Sequence, residues 1–179
     1  MWRPAIKNLV TSALCLALAW VLPFLTGQIP EVGAMLCPMH LPVLLCGAVC
    51  GWPWGMAVGL LAPVLRSFFF SMPPLYPTAV AMSFELAAYG AVFGLCRKLR
   101  PGALGALYLS LIAAMLAGRF VYGAARYGML FLFETEFSFS MFLSAAFLQA
   151  WPGILLQLLL VPPLVRALER AGLSQRQLN

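Results

Sequence analysis

Leu107-Tyr-Leu-Ser-Leu-Ile-Ala-Ala-Met-Leu-Ala-Gly-Arg-Phe-Val-Tyr122 is apolar enough for lipid, apart from one fixed charge at Arg119. A continuous run of this kind reads as a membrane-crossing helix, since about 20 apolar residues span a bilayer core. An ionised side chain inside such a run costs several kcal/mol, roughly 3 or more, so it faces a bundle interior or a water-filled cavity rather than lipid. The run Ala79 to Leu95 holds a second buried charge, Glu85. These two residues locate the chemistry.

The rest of the chain agrees with a membrane reading. Of 179 residues, 63% are hydrophobic and 9% charged, outside the range of a soluble domain. The apolar runs are continuous, whereas the strands of a membrane barrel alternate apolar and polar positions. The fold class expected is therefore all-α: one domain, residues 1–179, of six transmembrane helices. The spans read as 6–25, 41–50, 56–70, 78–95, 103–127 and 141–165. Between them, 26–35 reads as a loop, Gly51-Trp-Pro-Trp-Gly55 as a turn with interfacial tryptophans, and Phe131 to Ser140 as a loop with aromatic anchors. Pro63, Pro152 and Pro162-Pro163 interrupt their spans. Met1 to Ala19 mimics a cleaved leader, but its apolar run continues to Leu25 and reads as the first span.

Charge sets the orientation. Arg3, Lys7, Arg97, Lys98, Arg100, Arg166, Arg170 and Arg176 all fall on one side of a six-span topology, while Glu31, Glu134 and Glu136 fall on the other. The positive-inside rule then places both termini in the cytoplasm. The net charge of +6 is thereby a topology signal and not a footprint for nucleic acid.

Helical spacing gathers the remaining polar residues into stripes. Met115, Arg119, Tyr122 and Arg126 share one face of the fifth span, and Thr78, Met82, Glu85 and Tyr89 one face of the fourth. Gln149 and Gln157 share a face of the sixth, with Gly153 between them. At about 1.5 Å per residue, Glu85 lies roughly 10–12 Å below the outer end of its span. The stripes converge on the outer half of the bilayer. One reading is an outward-open pocket in which two arginines suit a carboxylate-bearing ligand. The other is a structural Glu85–Arg119 ion pair with Arg126 reaching the interface. The two are compatible.

Other features narrow the function. The glycine spacings Gly51-x-x-x-Gly55-x-x-x-Gly59 and Gly90-x-x-x-Gly94 read as internal helix packing, whereas Ala13-x-x-x-Ala17 sits on a terminal span free to meet a partner. Cys37-x-x-His40 has a metal-like spacing, but His40 is the single histidine and no second ligand pair accompanies it, so no metal site is expected. The cysteines at 15, 37, 46, 50 and 96 read as small buried hydrophobes and not as a disulfide framework. Neither Lys7 nor Lys98 follows a phosphate-binding glycine pattern, so the chain carries no ATPase of its own. No hydrolytic motif appears. Glu85 and His40 are the only acid–base candidates, and an enzyme is disfavoured.

Several segments together resemble a known family. Met39-His-Leu-Pro-Val-Leu-Leu45, Gly51-Trp-Pro-Trp-Gly55, Ala62-Pro-Val-Leu-Arg66, Gly118-Arg119 with Tyr122-Gly123, and Pro152-Gly-Ile-Leu-Leu-Gln157 before Pro162 are similar, in order and spacing, to the substrate-binding S components of energy-coupling factor (ECF) vitamin transporters. The resemblance implies a bacterial plasma-membrane protein that captures a vitamin or precursor from outside. It implies partners, a transmembrane T component and two ATPase subunits that use the ATP, with no cofactor in this chain. By the same resemblance Ala13 and Ala17 dock on the T component, residues 26–39 form an outer lid, and transport proceeds by toppling of the S component. The ligand site expected comprises Arg119, Tyr122, Arg126, Met115, Glu85, Met82, Tyr89, Gln149 and His40. These residues match no single vitamin's signature. The arginines favour an anionic ligand such as pantothenate, folate or a nicotinate-like acid, and a neutral or flavin-like one stays open. A ligand-free membrane scaffold subunit is the alternative.

Overall fold

Alternating directions organise the bundle, and glycines set how closely its central helices approach. A computed structural model describes residues 4–26, 29–99, 103–133 and 150–173. Its helices are α1 (Pro4–Val21), α2 (Pro30–Leu36), α3 (His40–Cys50), α4 (Trp52–Phe70), α5 (Val80–Leu99), α6 (Leu104–Phe133) and α7 (Trp151–Arg170). A 3₁₀ turn, Leu22–Thr26, extends α1, and a π turn, Leu75–Ala79, leads into α5. No strand occurs among the described residues. Five segments are long and apolar enough to cross a membrane: Ala5–Leu25, Trp52–Phe70, Leu75–Leu99, Leu104–Met129 and Trp151–Arg170. The chain is an all-helical, multi-pass membrane protein. The sixth apolar helix, α3, has 11 residues and so rises only about 16 Å.

Contacts fix the directions. His40 meets Glu85 at one end of α3, and Gly94 lies against Gly47 and Trp52 at the other, so α3 and α5 run the same way. α4 runs against them: Gly55 faces Gly90, and Gly59 faces Leu86. A Cβ on Gly90 would strike the backbone of Gly55, and one on Gly94 the backbone of Trp52 and Gly47. The glycine spacings are thus internal packing, letting three backbones meet where any side chain would hold them apart. Gly51, at φ 91°, makes the reversal between α3 and α4 in a conformation open to glycine and strained for other residues.

Two apolar clusters flank α5. One joins Cys15, Ala19, Val43, Cys46, Val58, Ala62 and Leu86 across α1, α3, α4 and α5. The other joins Leu44, Tyr89, Phe93, Leu111, Met115, Val161 and Val165 across α3, α5, α6 and α7. At one end of the bundle Lys7 Nζ donates to the Gly172 carbonyl at 2.7 Å, and Arg97 pairs with Glu169. At the other end the Arg66 guanidinium donates to the Trp20 carbonyl at 2.7 Å and lies over the rings of Phe24 and Phe70. The first described helix therefore starts, and the last one finishes, at the same end.

The structure corrects several boundaries. Residues 30–36, expected within a loop, form α2, and α4 begins at Trp52, inside the expected turn. Pro30 and Pro53 each stand at the start of a helix, where a missing N–H costs nothing. Helix α5 continues through Arg97 and Lys98 to Leu99, and Arg97 is buried against Glu169 instead of lying in a loop. Helix α6 runs on to Phe133. Residues 141–149 of the expected sixth span, with Glu134, Glu136 and Gln149, lie outside the described residues. No disulfide links the five cysteines.

Candidate functional site

Glu85 of α5 and Arg119 of α6 meet in the bundle interior. Arg119 Nη1 lies 2.9 Å from Glu85 Oε1, with the Glu85 side chain 2% exposed. The fit of α5 on α6 depends on Gly118, since a Cβ there would strike the Tyr89 ring and approach the Glu85 carbonyl. With no side chain at 118, the ring seats against α6 and the next residue's guanidinium reaches Glu85. Two opposite charges in a dry interior hold each other strongly, and losing one leaves the other stranded.

The connection from α2 to α3 brings two more groups to this pair. Cys37 ends α2 in a left-handed conformation, φ 48°, with its N–H donating to the Gly33 carbonyl at 3.0 Å. Left-handed backbone is strained for a residue with a Cβ, but here it turns the chain within two residues from α2 into α3. His40 N–H donates to the Cys37 carbonyl at 3.1 Å and closes the turn. The Cys-x-x-His spacing thereby serves a turn. Arg119 Nη2 donates to Cys37 Sγ at 3.7 Å, while His40 Nε2 stands 3.4 Å from Glu85 Oε1. Burial pushes the Cys37 thiol up from its ordinary range, against the opposing pull of Arg119.

The His40 ring stands edge-on to Tyr89, with centroids 4.8 Å apart and an interplanar angle of 82°. This geometry suits two aromatic quadrupoles. Met115 packs with Tyr89 in the same apolar cluster. Of the expected site residues, Glu85, Arg119, His40, Tyr89 and Met115 are thus brought together. Tyr122 and Arg126 follow Arg119 along α6 and are half-buried. Met82 packs elsewhere, against the cluster that holds Leu86. Cys37 joins the pair although its type and its apolar surroundings read as packing; the left-handed turn that aims it is a tertiary feature.

Helix α2 is seated by α7 as well. A Cβ on Gly153 would strike the carbonyl of Met35 and the backbone of Leu36, so the bare backbone of α7 lies directly beneath α2. One turn further along α7, Gln157 is 1% exposed, and neither end of its amide has a hydrogen-bond partner among the described residues. His40 Nδ1 and Arg119 Nε are likewise buried without a partner among the described residues. Buried polar atoms are paired in most proteins, and unpaired ones mark places with a further role. Among the described residues no three His, Cys, Asp or Glu side chains gather as metal ligands.

Fold and site together define a helical membrane protein with polar groups gathered where the connection from α2 to α3 meets α5 and α6. The chain belongs to the family of ECF transporter substrate-specific components, whose model matches residues 7–165. It is a transporter component and not an enzyme. No curated protein and no solved structure matches the chain.

Proposed function

We propose that the chain captures a vitamin or vitamin precursor from outside a bacterial cell, holding it among α3, α5, α6 and α7 beneath α2. The observation that carries the reading is the set of buried, incompletely paired polar groups around Glu85 and Arg119, in a chain of this family. A scaffold subunit has no use for unpaired polar atoms in its core, each of which costs about 1–3 kcal/mol. In this reading Arg119 is neutralised by Glu85 and acts through that pair. Tyr122 and Arg126, one and two turns further out, meet the ligand, and the second arginine favours a carboxylate. Tyr89, Met115 and His40 form the apolar and aromatic wall.

Six spans with both termini in the cytoplasm fit this role. Lys7, Arg97, Lys98, Arg166 and Arg170 belong to the helix ends that meet around Gly172 and Glu169, as the positive-inside rule asks of a cytoplasmic face. Energy comes from ATPase subunits and a T component, with no cofactor in this chain. Ala13 and Ala17 are exposed along α1, among the exposed Leu9, Leu14 and Leu18, and supply a smooth face for the T component. A thermal-shift panel of water-soluble vitamins against the purified protein tests the reading. One compound is expected to raise the melting temperature, less so in Arg126→Met; no shift from any of them sinks it.

A further inference from the structure

We propose that Gln157 reads a lactam-type edge of the ligand, a ring N–H beside a ring C=O, so that the captured molecule carries such an edge as well as an anionic group. This rests on the ligand-capture reading above and assigns a specificity residue within it. The amide of Gln157 is 1% exposed, and both Nε2 and Oε1 lack a partner among the described residues. Turning the amide over exchanges its two ends and changes nothing, because both stay unpaired.

Its place in the fold supports the assignment. Gly153, one turn before it, lies against Met35 and Leu36, and the next residue of that segment, Cys37, touches Arg119. Val161, one turn after it, is fully buried in the cluster with Tyr89 and Met115. Gln157 is therefore about 6 Å along α7 from the seat of α2 and about as far from Val161, whose cluster holds Tyr89 and Met115. Helix α3, which packs on α7, contributes another unpaired atom, His40 Nδ1.

Chemistry selects the partner. A carboxylate satisfies the Nε2 donor but sets its negative oxygen against Oε1. A hydrocarbon satisfies neither, and a lone hydroxyl serves one end well at a time. A lactam edge presents an acceptor and a donor side by side, so Nε2 donates to its carbonyl while Oε1 accepts from its N–H. The anionic group then lies towards Arg126, away from the amide. A site built around such a pair rejects analogues that lack it, because its own buried groups then stay unpaired.

Titration of wild type and Gln157→Leu with folate (lactam and carboxylates), riboflavin (lactam, uncharged) and nicotinate (carboxylate, no lactam) tests this, beside melting of the ligand-free proteins. Expected are tightest binding of folate, about 100-fold weaker in Gln157→Leu, and a ligand-free variant that melts no lower than wild type. A lower melting temperature without ligand would assign the amide to structure and overturn the inference. So would folate affinity unchanged by the substitution. Nicotinate bound more tightly than folate by wild type would overturn the lactam assignment and leave ligand capture standing. Silence from all three and from the wider vitamin panel removes both.

Discussion

Removing one member of the Glu85–Arg119 pair strands the other. With a 2.9 Å contact and nearly full burial, either Arg119→Met or Glu85→Gln is expected to lower stability by about 3–5 kcal/mol. The double variant should recover much of the loss, since it leaves no uncompensated charge. Thermal unfolding of the four proteins checks this, and additive losses would deny the coupling. Both residues were legible in the sequence because a charge in an apolar run has few innocent explanations. Cys37 and Gln157 were harder to see. A cysteine among apolar residues looks like packing, and no spacing tells whether a glutamine's amide is paired.

At the scale of the element, backbone contact and not hydrophobicity sets the spacing of α3, α4 and α5. Gly90→Ala forces a Cβ against the backbone of Gly55 and should cost about 1–3 kcal/mol or more. Gly128, in α6, has open space where its Cβ would stand, so Gly128→Ala should be neutral or stabilise by up to ~1 kcal/mol. Equal losses in thermal unfolding would mean that the close approach does not govern this packing. The long helices were legible from their apolar runs, as was the reversal at Gly51. Helix α2 was not, because Pro30, Glu31 and Gly33 read locally as a loop. What holds it is tertiary: the bare backbone of α7 at Gly153 and the Arg119–Cys37 contact. The basic end of α5 reads as a loop for a similar reason, since Glu169, which pairs with the buried Arg97, lies 72 residues away.

For the whole molecule, the proposed function assigns capture and docking to separate surfaces. Glu85, Arg119 and His40 meet between α3, α5 and α6, while Ala13 and Ala17 are exposed on α1. A bulky residue at the α1 face should block assembly without reaching the ligand. Ala13→Trp with Ala17→Trp is therefore expected to abolish uptake in cells. The measurement that bears most directly on the central claim is calorimetric titration of the isolated double variant, without ATP or partner subunits, with the vitamin that stabilises wild type. The account predicts one-to-one binding at a Kd between roughly 1 nM and 1 µM, unchanged from wild type. Absence of binding by the isolated wild-type chain, or its appearance only with the partners present, would contradict the claim that this chain alone holds the ligand.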